Sequence, residues 1–561
     1  MAWSNNTIKG GVTMAVAHTP SVPWFGATLK EWLFTTDHKK VGMLYLVTSL
    51  LYFIVAGIFG LIIRYEQSAP GIQLPSLFGQ TGADLYNYIL TGHGAVILLW
   101  WAVNVWVGGF ANILVPLMIG AKDVAFPRLN AFGYWSFFGA SVLVLLTLLP
   151  NNWIKMLWTG YPPYSLNENA GSTILYVTIV LLYGISSTAG SVNMVTTIVS
   201  LRAKGLGWTK LNLFVHSIMA ASLINLFGVP ALMGAVLLLF TDKYLGTNFY
   251  NPMLGGDPLL YQNLLWFYSH PVVYIMILPA FGVFSEVIST MSRKPIFGYI
   301  SMMLAIYAIA VVGFFTWIHH MFVSGVPDWI RVLFSYTTLF VAVPTGIKIF
   351  NWVATLHRGA IRYNTPMLFT LGGILMFLIG GLTGIPNAMV SIDLGISDSL
   401  FVVGHFHYVL GMALTFGAFS GMYYWYPKII GRMYSETLGK LSFWLMLIGA
   451  NIFYFFQMYM GMAEGMPRRY PDYPPIPEWI TLMQIQTVGA VILSVGILLS
   501  LINWIKSLRG PKAEDNPWKS PSLEWTMTDT PVGPHNFKKY PIEVPEDWHP
   551  YAYYKGYHVH V

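Results

Sequence analysis

The chain has 561 residues, of which 55% are hydrophobic and only 9% are charged, whereas soluble domains carry about 25% charged residues. This composition excludes an ordinary soluble domain, and although the formal net charge is +7, the scattered Lys and Arg residues exclude a nucleic-acid-binding protein. Because no cysteine is present, any disulfide, iron–sulfur cluster or thiolate copper site must belong to a partner chain.

Twelve apolar segments are long enough to cross a bilayer, which takes about 20 helical residues. They cover approximately 41–63, 88–119, 133–150, 172–200, 212–240, 261–289, 297–323, 331–356, 366–386, 400–426, 440–461 and 482–505. The pattern predicts an all-α, polytopic membrane protein with an N-terminal peripheral tail (1–35), a twelve-helix core (36–508) and a C-terminal polar tail (509–561).

Basic residues concentrate in alternate connections between the predicted helices, for example Lys122, Arg202, Arg293, Arg358 and Arg432. By the positive-inside rule, both termini are expected in the cytoplasm. The first 35 residues lack a signal-peptide pattern, which favours a bacterial or archaeal plasma membrane.

The first five helices carry two histidines of unequal interest. His93 lies in the first turns of the second predicted helix, within the membrane, where an ionisable side chain indicates function. His216 stands alone near the start of the fifth helix, and we expect it to be a hydrogen-bonded packing residue.

The later helices place more histidines at the depth of His93. His270 lies in the sixth helix, His319 and His320 end the seventh, and the tenth carries the pair His405 and His407. At 1.5 Å per residue, all six imidazoles fall roughly 7 to 14 Å from the outer surface. Six imidazoles at one level indicate metal binding, because imidazole suits copper and iron.

The pair in the tenth helix has a particular geometry. Residues i and i+2 of an α-helix point in nearly opposite directions. His405 and His407 are therefore expected to serve two different metal cofactors on opposite sides of one helix.

Several motifs resemble subunit I of the haem–copper oxidases, in the A-type cytochrome c oxidase branch, from about Trp32 to Trp525. They are TGHG at 91–94, GGFANILVPLMIGAKDVAFPRLN at 108–130, HPVVY at 270–274, IHHMF at 318–322, AVPTGIK at 342–348, HFHYV at 405–409 and MPRRY at 466–470.

The resemblance implies two haems. His93 and His407 would be the axial ligands of a low-spin haem, and His405 the single ligand of a high-spin haem. Arg64 resembles the arginine that hydrogen-bonds the formyl group of the low-spin haem, which favours haem A.

It also implies a copper ion opposite the open face of the high-spin haem. His270, His319 and His320 would hold this copper. Tyr274 lies one helical turn after His270 and resembles the tyrosine that is covalently joined to the copper-ligating histidine and supplies an electron and a proton to oxygen. His270 and Tyr274 are therefore the predicted catalytic residues.

Two polar lines resemble the proton pathways of the family. Lys348, Thr345 and Ser285 match the K pathway. The residues that match the D pathway are Asp123, Asn112, Asn130, Ser186, Ser187 and Asn193.

The D pathway departs from the common pattern at its far end, where most A-type members have a glutamate two residues after the histidine of helix 6. This chain has Val272 there, and Tyr268 and Ser269 precede the histidine. The pair resembles a subgroup that lacks the glutamate. We expect the two hydroxyls, one turn before Val272 and on its helix face, to order a water chain in place of the carboxylate.

Residues near the outer surface resemble the haem-propionate partners of the family, namely Arg468, Arg469, Trp158 and Asp393. Asp398 matches an outer magnesium ligand, but the expected preceding histidine is replaced by Ser397, which argues against a complete magnesium site.

The resemblance therefore implies the catalytic subunit of a proton-pumping respiratory oxidase that oxidises cytochrome c and reduces O2 to water. The electron-accepting copper centre needs cysteines, so a subunit II is implied, and a subunit III is expected.

Three alternatives stay open. A quinol oxidase would carry His and Gln before the first haem ligand, and neither occurs in Asp84–Thr91. A nitric oxide reductase should lack Tyr274 and Lys348. A secondary transporter would show paired halves and broken helices and would bind no haem.

Overall fold

Long helices dominate the computed structural model, which describes residues 27–149 and 152–552. Twelve helices in this part of the chain are long and apolar enough to cross a membrane. They are α1 (His38–Glu66), α2 (Gly82–Ile119), α3 (Pro127–Leu146), α4 (Ala170–Ser200), α5 (Leu213–Tyr244), α6 (Pro258–Ser292), α7 (Tyr299–Met321), α8 (Asp328–Leu356), α9 (Thr365–Ala388), α10 (Leu400–Ile430), α11 (Glu436–Ala463) and α12 (Pro477–Ser507).

Each of the twelve predicted segments corresponds to one of these helices, which confirms the predicted fold class. Several helices begin a few residues earlier than the hydropathy of the sequence indicates. Pro127, Pro258 and Pro477 occupy the first turns of α3, α6 and α12, where a missing N–H costs nothing. The first turns of these helices contain proline or polar residues. Because these turns are not apolar, the hydropathy of the sequence does not show that they are helical.

Three of the helices that carry predicted ligands depart from regular α-helix. In α2, π-helical turns cover Ile97–Val103 and Val105–Phe110, and in α10 another covers His407–Ala413. In α6, the α-helix stops at Ser269 and resumes at Pro271, so that His270 lies at the junction. Such π turns are rare and frequently occur at functional sites.

Two of the helices with predicted ligands, α2 and α6, form the centre of the bundle. The most apolar window of α2 is entirely buried and that of α6 is 89% buried, whereas that of α8 is only 28% buried. The apolar outer surface of α8 fits contact with lipid or with another chain.

The even number of helices places the start of α1 and the end of α12 at one side of the bundle, which we call the terminal face, and we call the opposite side the distal face. The predicted C-terminal tail is packed against the terminal face as far as residue 552. Lys39 Nζ donates to Asn536 Oδ1 at 2.7 Å, and the Tyr551 hydroxyl donates to Glu286 Oε1 at 2.6 Å. Most of the predicted N-terminal tail, residues 1–26, lies outside the described residues.

Candidate metal centre and proton-transfer residues

A cavity of about 1180 Å³ lies in the distal half of the bundle. Its wall is mostly apolar, yet all six predicted metal-ligating imidazoles border it. These are His93, His270, His319, His320, His405 and His407. The structure therefore brings together histidines from four helices that are far apart in sequence.

Two of these rings face each other across part of the cavity. The ring centroids of His93 and His407 are 6.3 Å apart, and the ring planes are 19° from parallel. Because a metal–imidazole bond is about 2 Å long, two rings on opposite sides of one metal ion have centroids about 6 Å apart. The pair therefore fits an iron with two axial imidazole ligands.

The hydrogen bonds of both rings leave the required nitrogen free. His93 Nδ1 donates to Ala56 O at 2.8 Å, and His407 Nδ1 donates to Val403 O at 2.8 Å. A carbonyl can only accept, so both Nδ1 atoms carry hydrogen and both Nε2 atoms keep a lone pair for a metal. Metal-ligating histidines typically donate the N–H of their other ring nitrogen in this way, which fixes the orientation of the ring.

His405 faces a different helix from His407, as the sequence predicts. Thr383 of α9 donates its hydroxyl hydrogen to Gly380 O at 3.0 Å and accepts from His405 Nδ1 at 3.2 Å. A Cβ atom on Gly384 would lie 3.1 Å from the His405 ring, so the absence of a side chain there makes room for this imidazole.

The three predicted copper ligands form a cluster. One ligand atom from each of His270, His319 and His320 lies within 4.8 Å of the others, and this is the one such group of metal-ligating residues found in the described residues. Two nitrogens bound to one metal at about 2 Å lie at most about 4 Å apart. A small inward movement of the rings would therefore bring all three nitrogens onto one copper ion.

Each member of the cluster is held by a neighbour. His319 Nδ1 lies 3.1 Å from Thr338 Oγ1, and the ring of His320 stacks on Trp266 with centroids 3.7 Å apart. Tyr274 OH lies 2.8 Å from His270 Nε2. The other His270 nitrogen, Nδ1, therefore points into the cluster.

The distal loops carry the predicted propionate partners. Arg468, Arg469, Trp158 and Asp393 all border the cavity. Burial, together with the smaller effect of the nearby Asp398 charge, raises the pKa of the Asp393 carboxyl to about 7. Burial also lowers the pKa of the Arg469 guanidinium to about 10.

Asp398, the predicted magnesium ligand, is engaged by Arg468, whose Nη2 lies 2.6 Å from Asp398 Oδ1. Burial would raise the pKa of the Asp398 carboxyl, but the Arg468 charge outweighs it and keeps the pKa below its usual value. The magnesium site stays a prediction.

Arg64 reaches the same cavity from the distal end of α1. Its Nη1 donates to Gln67 Oε1 at 2.9 Å, and its Nη2 donates to Met483 O at 2.9 Å. Its buried Nε has no partner among the described residues. An unpaired buried donor is costly, so this atom fits an acceptor carried by a bound group.

A second, much smaller cavity of about 10 Å³ lies between the helices on the terminal side, and it has room for about one water molecule. Four of the predicted D-pathway residues border it, Asn112, Asn130, Ser186 and Ser187. Three further polar residues that the sequence reasoning missed complete the wall, Tyr45, Asn104 and Asn225.

Asp123 and Asn193 lie closer to the terminal face. Asn193 Oδ1 accepts from Phe126 N at 2.8 Å, and Thr197 Oγ1 accepts from Ala125 N at 2.8 Å. These bonds fix the loop that carries Asp123. Burial raises the pKa of the Asp123 carboxyl to about 6.

The Tyr268 and Ser269 side chains diverge. The Tyr268 hydroxyl lies 3.1 Å from the hydroxyl of Tyr183 on α4, and Tyr183 also hydrogen-bonds Ser187. Ser269 instead borders the large cavity. Tyr183 was missed by the sequence reasoning, although it lies four residues before Ser187 and hence on the same helix face.

Lys348 is fully buried in the terminal half of α8. Its Nζ lies 5.6 Å from the ring centroid of Phe281 and 5.3 Å from that of Trp352, and it has no hydrogen-bond partner in the described residues. Trp352 Nε1 donates to Ser285 Oγ at 3.0 Å. Thr345, one turn closer to the distal face, borders the large cavity, and so does Ile349, the residue after Lys348.

The chain is similar to known proteins over most of its length. The family model described as "Cytochrome C and Quinol oxidase polypeptide I" matches residues 40–492. Cytochrome c oxidase subunit 1 of Thermostichus vulcanus is 44% identical over 500 residues, which are 89% of this chain and 89% of that protein. Cytochrome c oxidase subunit 1 of Cereibacter sphaeroides is 40% identical over 548 residues, which are 92% of this chain and 96% of that protein. A cryo-EM structure of a heme-copper terminal oxidase dimer shares the fold, with a TM-score of 0.71, 21% identity and 85% of each chain covered.

Proposed function

The chain belongs to the cytochrome c and quinol oxidase polypeptide I family, and we propose that it is the catalytic subunit of a proton-pumping terminal oxidase that oxidises cytochrome c and reduces oxygen to water. The observation that carries this proposal is the single cavity bordered by a facing histidine pair, a further histidine and a three-histidine cluster. Packing alone does not require six imidazoles around one space.

The proposed cofactors are two haems, both haem A, and one copper ion. The residues assigned to them are His93 and His407 for the low-spin haem, His405 for the high-spin haem, and His270, His319 and His320 for copper. When bound, these groups supply electron transfer and the site at which oxygen is reduced. The unpaired Nε of Arg64 supports the choice of haem A, because the formyl group of haem A is a suitable acceptor.

Tyr274 is assigned the role of proton donor at the cavity wall. Its hydroxyl lies 2.8 Å from His270 Nε2, so it holds a proton next to the copper cluster. The covalent bond between Tyr274 and His270 that the family resemblance implies is part of this proposal.

Lys348 is assigned to the delivery of protons to Tyr274 along the K pathway. Its unpaired Nζ and its position one turn beneath Thr345 support this role. A buried amine without a hydrogen-bond partner is costly, and such a group is retained at sites where its protonation state must change.

The residues of the D pathway are assigned to proton uptake, which runs from Asp123 towards Tyr268. The hydroxyls of Ser187, Tyr183 and Tyr268 support a continuous route, and Ser269 continues it at the cavity wall. We place the chain in the A-type subgroup that has this Tyr-Ser pair in place of the glutamate.

The role of the Tyr-Ser pair is tested by replacing Tyr268 by Phe together with Ser269 by Ala. Proton ejection from reconstituted vesicles should be abolished. Tyr250→Phe is a matched control, because it removes another buried tyrosine hydroxyl, bonded to Ala235 O at 3.1 Å, outside the line. Intact pumping in the double variant would show that the pair is not the relay.

The proposed assembly includes a subunit II with the electron-accepting copper centre, because this chain has no cysteine, and a subunit III. The protein is a multi-pass membrane protein, and we propose that the terminal face is cytoplasmic in a bacterial or archaeal plasma membrane. The basic loops of the terminal face support this orientation.

Oxygen uptake by the purified complex, with reduced cytochrome c or reduced quinol as donor, tests the function itself. Rapid uptake with cytochrome c alone is expected. Uptake with quinol alone would support a quinol oxidase, and turnover of nitric oxide without oxygen uptake would support a nitric oxide reductase.

A further inference from the structure

Asn536 belongs to the predicted C-terminal tail, yet only 1% of its surface is exposed. Its φ of 61° lies in the left-handed region, which asparagine adopts more readily than most residues do. Backbone hydrogen bonds hold this part of the tail, since Asn536 N donates to Gly533 O at 3.3 Å and Lys538 N donates to Met527 O at 3.1 Å. The Asn536 side chain is therefore held in one place.

The neighbours of Asn536 fix the orientation of its amide. The Lys39 ammonium can only donate, so the amide atom 2.7 Å from Lys39 Nζ is the oxygen. The amide nitrogen Nδ2 donates to two backbone carbonyls, Ala121 O at 3.2 Å and Lys122 O at 2.8 Å. Asn536 thus binds the start of α1 with its oxygen and the two residues directly before Asp123 with its nitrogen.

The same nitrogen reaches the wall of the small cavity through His38. His38 Nδ1 donates to Asn112 O at 2.6 Å, so the other ring nitrogen, Nε2, accepts from Asn536 Nδ2 at 2.9 Å. The two hydrogens of Nδ2 therefore serve three acceptors, and one hydrogen is shared. Because Asn112 borders the small cavity, one amide links the loop of Asp123 to the wall of that cavity.

The loop that carries Asp123 is held from two sides. After Asp123, Asn193 and Thr197 of α4 accept from backbone N–H groups of the loop, each at 2.8 Å. Before Asp123, the C-terminal tail supplies the contacts, since Lys122 Nζ also lies 4.3 Å from the centroid of the Tyr540 ring. The tail is therefore part of the structure that fixes the position of Asp123.

We propose that Asn536 is a positioning residue for proton uptake, and that the C-terminal tail builds the entrance of the D pathway together with α1, α2 and α4. By donating to Ala121 O and Lys122 O, Asn536 holds Asp123 at a fixed distance from the cavity wall at Asn112. Asn536 transfers no proton itself. The inference rests on the proposed function, because it concerns how Asp123 is held for the uptake assigned to it.

Two substitutions of Asn536 separate this role from anchoring of the tail. In Asn536→Asp, a carboxylate of the same shape still accepts from Lys39, so the tail stays attached to α1, but the carboxylate cannot donate to the two carbonyls. In Asn536→Gly, the whole side chain is lost while the left-handed backbone conformation is kept. Asn516→Gly is the matched control, because the Asn516 amide bonds Ser520 O within the tail at 2.8 Å.

The rate of proton uptake is measured with a pH-sensitive dye during a single turnover of the purified complex, after haem and copper contents have been checked. Both Asn536 variants should slow uptake by at least about tenfold, because a misplacement of about 1 Å can cost about 100-fold. Asn516→Gly should leave the rate unchanged. Asn536→Asp decides the test, since its tail remains anchored, and a normal rate in this variant would overturn the positioning role.

A second measurement shows whether Asn536 acts through Asp123. Asp123→Asn removes the carboxyl at which uptake is proposed to begin, so Asn536→Asp should cause no further slowing when it is combined with Asp123→Asn. A general structural defect would instead slow the residual uptake of Asp123→Asn by the same factor that Asn536→Asp causes alone. That result would overturn the proposal.

Asp123→Asn alone distinguishes failure of this inference from failure of the proposed function. Slow uptake in Asp123→Asn with normal uptake in the Asn536 variants would overturn the positioning role alone. Normal uptake in Asp123→Asn would overturn the assignment of the D pathway and, with it, a residue that acts by holding Asp123.

Discussion

The distal and terminal halves of the bundle are built in opposite ways. The distal half contains one cavity of about 1180 Å³ whose imidazoles are oriented by hydrogen bonds on their outer nitrogens. The terminal half is closely packed, with a cavity of about 10 Å³ that is bordered by hydroxyl and amide groups. A rigid cofactor needs a preformed space, whereas a proton needs only a row of exchangeable groups.

The difference also appears in the unpaired buried groups. Among the described residues, Arg64 Nε and Asp393 Oδ2 beside the large cavity have no hydrogen-bond partner, and neither has Lys348 Nζ in the terminal half. The first two fit contacts with a bound group, and the third fits a side chain that changes partner. Unpaired polar atoms therefore occur at both kinds of site, and the volume around them differs.

The largest expected effect comes from a substitution that breaks the distal half alone. In His319→Asn, one ligand of the three-histidine cluster is lost, and copper content should fall. Mutation of a residue that only hydrogen-bonds a metal ligand typically lowers metal affinity or activity by about 10- to 100-fold. Loss of a ligand itself should have a larger effect, and we expect oxygen uptake to fall by more than about 1000-fold. The optical spectrum of the low-spin haem should be unchanged, because His93 and His407 remain. Retention of copper and activity would show that the cluster is not the copper site.

The next effect comes from the terminal half. Lys348→Met should slow turnover by about 100-fold, the scale of a lost acid–base group, while copper and haem contents stay normal. Metal analysis and oxygen uptake on one preparation make the comparison. If the metals were lost as well, Lys348 would be a structural residue of the cavity and not a member of a proton line.

A smaller effect is expected from Tyr183→Phe, which removes the hydroxyl between Ser187 and Tyr268. The loss of one neutral hydrogen bond, about 1 kcal/mol, corresponds to a roughly fivefold slower proton uptake. Uptake is followed with a pH-sensitive dye during a single turnover, and Tyr250→Phe again serves as the control. An unchanged rate would mean that the route to Tyr268 bypasses Tyr183.

The smallest effect concerns stability. Burial raises the pKa of the Asp123 carboxyl in the folded protein from its ordinary value to about 6, so its ionisation disfavours the folded state as pH rises from about 4 to 6. Asp123→Asn should therefore stabilise the protein at pH 8, by on the order of 1 kcal/mol after allowance for solvent screening, and should have little effect near pH 4. Thermal unfolding at the two pH values checks this. Equal stability changes at both values would contradict the raised pKa.

The sequence predicted the helices of the bundle and the directions of two of its histidines. Hydropathy located all twelve helices, and the opposite directions of His405 and His407 followed from helical geometry. The π-helical turn that begins at His407 was not predictable, because it depends on packing against neighbouring helices and leaves no simple periodicity.

The terminal face was harder to predict than the metal centre. The residues 509–552 are rich in proline and polar side chains, yet Trp525 is 2% exposed and Asn536 is 1% exposed. Their partners, such as Lys39, are hundreds of residues away in sequence. Local composition indicates a tail, and only the tertiary structure shows a segment that closes the terminal face. The contact of Tyr183 with Tyr268 was not predicted for the same reason, since it joins two different helices.

The central claim is that a metal-binding distal half is coupled to a proton-conducting terminal half. Its most direct test uses sealed vesicles that contain the purified complex. Oxygen uptake and external pH are recorded together while reduced cytochrome c is supplied. We expect oxygen uptake with transient acidification outside the vesicles and alkalinisation inside. Oxygen uptake without any external acidification would contradict proton pumping by this chain.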